Sequence, residues 1–302
     1  VWVHTSGSTG TPKPMQVEKK RMIASARLTC SFLELKGGDK ALLCMPLGYI
    51  AGKMVVVRSL VAGLELIPIA PCGHPLSGMK ESPTFAAMIP MQVYNSLQVP
   101  EERTVLEGIK HLIIGGGAID DGLANELKHF PNNVWSTYGM TETLSHIALR
   151  RLNGNNASDW YTPFDQVHIR LSEEGTLVIH APEVCAEELT TNDIAEINEK
   201  GEFRILGRKD NVINSGGIKI QIEQVEALLK PHLSTPFLIT STSDAKFGEA
   251  VVLLYEKGNE EELQALCKAA LPPYWMPKRF VQVKELAIQT NDLLAQAPFL
   301  NL

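Results

Sequence analysis

Residues 5–13 read Thr5-Ser6-Gly7-Ser8-Thr9-Gly10-Thr11-Pro12-Lys13. Consecutive hydroxyls, two glycines that free backbone N–H groups to curl around an anion, and a closing cation make a phosphate-binding nest. The run follows the strand-like Val1–His4, the place where an α/β sheet presents its ligand loops. A flexible linker can share this composition, but it rarely carries a fixed Pro-Lys behind an apolar strand. It is not a Walker A loop, since G-x-x-x-x-G-K-[ST] occurs nowhere in the chain.

Three further stretches carry groups that suit a nucleotide. In Tyr138-Gly139-Met140-Thr141-Glu142-Thr143, an aromatic can stack on a base and a hydroxyl can touch a phosphate. The lone carboxylate can hold Mg²⁺ beside substrate phosphates. Taken alone, that stretch also reads as an ordinary strand-to-loop transition. Gly115-Gly116-Gly117-Ala118 follows an apolar strand, and its missing side chains let a flat ligand lie against backbone. It lacks the full G-x-G-x-x-G pattern of a dinucleotide turn. Gly207-Arg208-Lys209-Asp210 and Asn214-Ser215-Gly216-Gly217-Ile218-Lys219 combine charge with glycine, as a hinge beside a backbone-lined channel would.

The elements that must position these groups fall into three textures. Up to about residue 140, the buried strands Val1–His4, Ala41–Met45, Leu64–Ala70, His111–Ile114 and Val134–Thr137 alternate with helices over Gly52–Val61 and Asp120–Phe130. That alternation predicts an α/β layer with a substantially parallel sheet. Beyond Pro163, Val167–Leu171 and Thr176–His180 flank one hairpin signal, and Glu196–Asn198 and Glu202–Leu206 flank another, predicting an antiparallel subdomain. From Gly207, a helix at Ile222–Leu229, a strand at Ala250–Glu256 and a helix at Glu260–Ala270 predict a small α+β domain. The expected division is a large α/β domain with an antiparallel β subdomain over 1–207, then a small mobile α+β domain over 208–302.

The 302 residues suffice for two domains. With 28 basic and 34 acidic residues the formal charge is −6, which speaks against a general nucleic-acid binder but permits a small polyanion in a locally positive pocket. The five scattered cysteines contain no C-x-x-C, which fits a reducing compartment and a cytoplasmic location. No membrane span is expected, because Arg58, Glu65 and Pro68 interrupt the longest apolar stretch. The opening VWVHTSGSTG has no leader pattern and reads as a cut end.

In order, T-S-G-S-T-G-T-P-K, G-G-G-A, Y-G-M-T-E-T, T-N-D and G-R-K-D-N-V-I-N-S-G-G resemble the adenylate-forming superfamily of acyl-CoA synthetases, adenylation domains and luciferases. The resemblance runs from Thr5 to about Leu286, and the stretch Tyr138–Gly154 is most similar to o-succinylbenzoate–CoA ligases of menaquinone biosynthesis. It implies an ATP-dependent ligase that makes an acyl-adenylate and then a CoA thioester, with ATP, Mg²⁺, coenzyme A and a small carboxylic acid as its partners. Thr5, Ser6, Gly7, Ser8, Thr9, Gly10 and Lys13 would hold the β- and γ-phosphates. Gly116, Gly117 and Ala118 would border the adenine, with Tyr138 stacked on it. Thr141 would reach the α-phosphate and Glu142 would bind Mg²⁺, so that Thr141, Glu142 and Lys13 form the implied catalytic set. Asp193 and Arg208 would hold the ribose, Asp210 would be the hinge, and Gly216 and Gly217 would line the pantetheine tunnel.

Two departures stand out. The family's P-x-T-x-x-G-K loop is replaced by a run from Glu285 to Leu294, and no lysine follows Lys284. The family also has a long segment before the phosphate loop. The first departure implies an alternative, a nucleotide-binding relative impaired in adenylation; other acyl- or aryl-CoA ligases are the remaining one. For the acid, Tyr49 lies where the family places acyl-pocket residues. Lys53, Arg58, Ser145, His146 and Arg150 could face a dicarboxylate, with Ser145 and His146 foremost, although each alone also reads as a solvated helix edge. The remaining histidines show no metal-ligand spacing.

Overall fold

The computed structural model describes residues 1–4, 14–117, 119, 121–284 and 286. Strand β1 (Trp2–His4) pairs antiparallel with β2 (Pro14–Gln16) in a two-stranded ribbon, Val3 opposite Met15. Residues 5–13 therefore connect two strands of a hairpin and do not follow a strand of the main sheet, as Val1–His4 had been expected to be. The reason is burial. A parallel strand in such a sheet is covered on both faces, whereas Trp2 is 63% exposed and only Val3 turns into the core.

The main layer is assembled from α1 (Lys19–Phe32), β3 (Lys40–Leu43), α2 (Ile50–Ala62), β4 (Glu65–Pro68), β5 (Phe85–Met88), α3 (Pro90–Leu97) and α4 (Pro100–Gly108). It continues through β6 (His111–Ile114), α5 (Asp121–Leu127), β7 (Asn133–Gly139), β8 (His146–Arg151) and β9 (Thr162–Pro163). Its seven strands lie in the order β4-β3-β5-β6-β7-β8-β9. They run parallel from β4 through β7 and antiparallel beyond. Successive strand side chains point to opposite faces, and the sequence fills both with apolar groups. Ala41, Leu43, Phe85, Ala87 and Ile113 pack on one side with Met22, Ala26 and Cys30 of α1 and Met54 and Val55 of α2. Leu42, Ala86, Met88, Leu112 and Ile114 pack on the other with Val93 of α3, Leu106 of α4 and Leu123 of α5. This double burial explains why these strands read as unbroken apolar runs rather than alternating ones.

The expected antiparallel subdomain is a four-stranded sheet of β10 (His168–Leu171), β11 (Thr176–His180), β12 (Leu189–Ile197) and β13 (Phe203–Arg208), in sequence order. Leu177, Ile179, Ala195 and Phe203 share the core of α1 and α2, so this sheet is seated on the main layer. The remaining elements are β14 (Val212–Ser215), β15 (Ile218–Gln221), α6 (Ile222–Leu229), β16 (Phe237–Asp244), β17 (Gly248–Tyr255), α7 (Glu260–Ala270) and β18 (Arg279–Gln282). They form a second, five-stranded sheet whose core joins Ile213, Ile220, Val225, Leu229, Ile239, Val251, Leu253 and Leu263. Gly216 and Gly217 make the two-residue turn between β14 and β15, with φ of 59° and 82°. Paired positive φ values define the type I′ hairpin turn that glycine adopts without strain.

Candidate active site

The strand order locates the site. From β3 the chain goes to β4 on one side and then crosses to β5 on the other. Such a reversal opens a crevice outside the carboxyl ends of the strands. A cavity of about 580 Å³ occupies that place, lined by Cys44, Met45 and Pro46 after β3, Ile89 after β5, Gly115 and Gly116 after β6, and Gly139, Met140 and Thr141 at the end of β7 and just beyond it. Its size suits a small organic ligand. Met88, Met91, Ile113 and Leu144 give it apolar walls, and Tyr49 stands exposed at its margin.

Backbone approach shapes the floor. A Cβ on Gly139 would lie 2.3 Å from the Ser145 carbonyl oxygen, so only glycine lets β7 close against the start of β8. The register shifts there, Tyr138 facing Ala148 and Gly139 facing His146. Bulges of this kind re-aim side chains beside functional sites. The intervening turn is held by buried Thr143, whose hydroxyl accepts from Met140 N at 3.1 Å and lies 2.8 Å from the Ser145 carbonyl. Leu144 in that turn has a φ of 66°, a left-handed conformation that costs a non-glycine residue about 1 kcal/mol or more. Thr141 is buried and Glu142 exposed.

At the inner wall stand Arg58, Ser145 and His146. Arg58 is 2% exposed, and its Nη2 donates to Ser145 Oγ at 2.6 Å. Its Nε has no partner, and no carboxylate pairs with it among the described residues. Burial lowers its pKa to about 10, which leaves it charged at neutral pH. His146 lies with Nδ1 3.2 Å from Ser145 Oγ and Nε2 2.9 Å from Thr29 Oγ1. Burial first, and Arg58 second, push its pKa well down, so the imidazole is neutral. Cys44 also lines the cavity, with a thiol pushed up to about 12 by burial. Gln92 ties the two neighbouring loops, its Nε2 donating to the Cys72 carbonyl at 2.9 Å.

A second cluster lies beside this cavity. Tyr138 does not line it; its hydroxyl donates to Asp193 Oδ2 at 2.5 Å and its ring meets Phe203 edge-on at 5.0 Å. Burial, then the Asp193 charge, raises the phenol pKa. Asp193 and Arg208 are direct cross-strand partners on β12 and β13. Arg208 spans two carboxylates, Asp193 at 3.4 Å and Asp210 at 3.0 Å. Tyr138, Asp193, Arg208 and Asp210 thus form one connected polar group.

The residues expected from sequence divide accordingly. Tyr49, Gly116, Thr141, Ser145 and His146 meet at the cavity, together with Arg58. Gly117, Gly216 and Gly217 stand outside its lining. Two residues that could have faced a dicarboxylate follow their other reading and are engaged elsewhere. Lys53 turns back to cap the Leu47 carbonyl at 2.5 Å, and Arg150 lies over the Tyr161 ring at 5.2 Å, neither lining the cavity. Thr5, Ser6, Gly7, Ser8, Thr9, Gly10, Lys13 and Ala118 lie outside the described residues. Thr29, Cys44 and Gln92 were not expected at the site. Only the polar pair Ser25 and Thr29, one turn apart on α1, hinted that this helix covers something polar.

Among the described residues no three His, Cys, Asp or Glu side chains gather to cage a metal. Glu142, to which the resemblance assigns Mg²⁺, is exposed and follows Thr141 of the cavity lining without itself lining it; a lone carboxylate is the kind of ligand that a metal shared with substrate phosphates takes. No helix among the described residues is long and apolar enough to cross a membrane.

Residues 1–187 match the family model described as AMP-binding enzyme. The 2-succinylbenzoate–CoA ligase of Bacillus cereus (strain ATCC 10987 / NRS 248) is 25% identical over 317 residues, covering 94% of this chain and 66% of that relative. The chain therefore spans just under two thirds of the length of the curated relatives it matches. An acyl-CoA synthetase (AMP-forming)/AMP-acid ligase II-like protein from Dyadobacter fermentans is 34% identical, with a TM-score of 0.68 over 99% of this chain and 88% of that one. The fold is also that of o-succinylbenzoate CoA synthetase from Bacillus subtilis, solved with ATP and magnesium ion, at a TM-score of 0.78 and 22% identity, covering 98% of this chain and 69% of that one. With a family model matched over more than half its length, this chain belongs to the AMP-binding enzyme family.

Proposed function

We propose that the chain is an AMP-forming acid–CoA ligase whose acid carries a second carboxylate, with o-succinylbenzoate as its first candidate substrate and menaquinone biosynthesis as its setting. The observation that carries this reading is Arg58, a buried cation on the wall of an apolar cavity with no anion to neutralise it among the described residues. A guanidinium held this way matches a carboxylate in charge and in fork geometry. Ser145 stands beside it as a further polar contact. The apolar walls would take the aromatic body of the acid, and Tyr49 would close the open side.

The reacting carboxylate then attacks the α-phosphorus of ATP, expelling pyrophosphate, and the thiol of coenzyme A displaces AMP from the acyl-adenylate. Thr141 would meet the α-phosphate and Glu142 would hold Mg²⁺, which supplies charge stabilisation to the phosphates. Lys13 and the hydroxyl run of residues 5–10 would take the outer phosphates. Asp193 and Arg208 would hold the ribose, and the segment after Asp210 would turn to bring Gly216 and Gly217 to the pantetheine chain. A second reading is favoured by the run Glu285–Leu294, which contains no lysine: a protein that binds nucleotide and completes the thioester from preformed adenylate.

The test is pyrophosphate release with o-succinylbenzoate, ATP and Mg²⁺, followed by thioester detection with coenzyme A. Release that requires the acid is expected. Thioester from synthetic acyl-adenylate, with no pyrophosphate release from ATP, would select the second reading. Activity with other acids but not this one would overturn the substrate assignment.

A further inference from the structure

Behind Arg58 lies a hydrogen-bonded chain that reaches back into α1. Thr29 is fully buried, and its hydroxyl donates to the Ser25 carbonyl at 3.3 Å. A hydroxyl has one hydrogen, so Thr29 Oγ1 meets His146 Nε2, 2.9 Å away, as an acceptor. With the Thr29 hydrogen on the Ser25 carbonyl, Nε2 carries the imidazole proton and Nδ1 keeps a lone pair. Arg58 has only donors, so Ser145 Oγ accepts from it at 2.6 Å. The single hydrogen of Ser145 is directed to His146 Nδ1 at 3.2 Å. These directions satisfy every contact from Ser25 to Arg58. The reverse set, with Thr29 donating to Nε2 and Nδ1–H donating to Ser145, leaves the Ser25 carbonyl contact unmade, and the imidazole tautomer tells the two apart.

We propose that Thr29 and His146 are positioning residues: they fix the Ser145 hydroxyl as an acceptor toward Arg58 and so hold the guanidinium in one orientation on the cavity wall. The need for such a device follows from the packing. Arg58 Nε has no partner, and Ser145 is the side chain that receives a hydrogen bond from the guanidinium among the described residues. A serine hydroxyl free to rotate would hold the fork loosely. A serine whose hydrogen is already taken by His146 presents its lone pairs to Arg58 alone. Phe164, edge-on to the His146 ring at 5.7 Å, restricts that ring in turn. Preorganisation of this kind lowers the ordering cost when the acid arrives. The effect should therefore appear in acid binding and not in nucleotide binding.

This inference rests on the proposed ligase reading for its kinetic arm only. Thr29→Val should raise KM for o-succinylbenzoate about tenfold, the scale of coupling between hydrogen-bonded neighbours. KM for ATP and kcat should stay within about twofold, and Thr29→Ser should restore the acid KM. In a Ser145→Ala background, Thr29→Val should add nothing, because its path to Arg58 is gone. Equal effects of Thr29→Val with and without Ser145, or no rescue by Thr29→Ser, would reduce Thr29 to a packing residue and overturn the proposal. Independently, ¹⁵N chemical shifts of the wild-type imidazoles, assigned by loss of one signal in His146→Gln, should show His146 as the Nε2–H tautomer. The Nδ1–H tautomer would overturn the proposal even if Thr29→Val failed to fold. Should the wild type neither bind nor turn over o-succinylbenzoate, the ligase reading fails while the tautomer still decides the hydrogen-bond chain.

Discussion

Replacing Arg58 by methionine separates binding from stability in a way few site substitutions do. The guanidinium is 2% exposed, and burial lowers its pKa to about 10. At 1.36 kcal/mol per unit, a lowering of this size is on the order of 3 kcal/mol against holding the charge in the folded protein. Because the folded pKa lies below the unfolded one, the cost is present in full below about pH 10. Methionine keeps most of the apolar stem and removes the charge. It also removes one charge-assisted hydrogen bond to Ser145, worth about 1.5–3 kcal/mol. The free protein should therefore be as stable as the wild type, or more stable by about 1 kcal/mol, in equilibrium urea unfolding. Acid affinity, by isothermal titration with o-succinylbenzoate, should fall about 100-fold or more, as when one partner of a desolvated charge pair is removed. Nucleotide affinity should not change. A variant that loses 3 kcal/mol or more while binding the acid normally would refute the reasoning, since Arg58 would then be a structural cation.

Four further outcomes are expected. Glu142→Gln should suppress Mg²⁺-dependent pyrophosphate release while leaving thermal unfolding unchanged, because the carboxylate is exposed and has no ion pair among the described residues; retained turnover would remove it as the metal ligand. Asp193→Asn should weaken ATP binding about tenfold and lower the Tyr138 phenol pKa, which the Asp193 charge helps to raise; titration of phenolate absorbance measures the second effect. Alkylation mapped by peptide mass should strike exposed Cys72 on the cavity margin before Cys30, Cys44 or Cys267, all buried with raised thiol pKa values, and bound acid should slow it. On acidification, the unfolded chain protonates His146 from about pH 6.5 while burial keeps the folded form neutral. Stability present above pH 6.5 should be lost below it at up to about 1.4 kcal/mol per pH unit, and His146→Phe should flatten that slope in urea unfolding.

The sequence made the parallel layer and the hairpins legible wherever apolar runs were long or turn residues explicit. His111–Ile114 and Ile222–Leu229 are found as expected, and Lys200-Gly201 does close β12 onto β13. One inner strand of the sheet, β5, was not legible. Phe85–Met88 is four residues long, and two of them are alanine, so nothing in its composition distinguishes it from a loop. Small residues also hide α1, where Ser25, Ala26, Thr29 and Cys30 make the buried face in place of large aliphatic groups. Helices α3 and α4 each begin with a proline in the first turn, a start signal the apolar periodicity does not register. The site was legible as motifs but not as a wall. Arg58 stood out as a charge within an apolar helix, yet its isolation from the carboxylates of the described residues is a property of the assembled cavity. Lys53, five residues earlier on α2, carries the same charge and points away.

The polar group around Arg208 bears on how the last hundred residues could turn. A turn about Asp210 would break the bond from Gln221 Nε2 to the Arg208 carbonyl at 2.8 Å and that from Arg208 N to Glu223 at 3.3 Å. The bond from Asn211 to Glu223 lies wholly beyond the pivot and the ion pair between Lys209 and Glu174 wholly before it, so both would be kept. The two bonds that cross are hydrogen bonds for which water can substitute once the groups part, each worth about 0.5–1.5 kcal/mol net, or up to about 3 to a charged group. The apolar core of β14–β18 is complete within residues after Asp210, so turning it exposes little of that core. Gly207 is the tight point, for a Cβ there would stand 2.4 Å from Gln221 Nε2. Arg208 itself faces Asp193 on one side and Asp210 on the other, so a turn that moves Asp210 away leaves the guanidinium with a partner. A junction held by replaceable contacts, beside a cation that keeps one carboxylate throughout, can reorient without uncovering an unpaired charge.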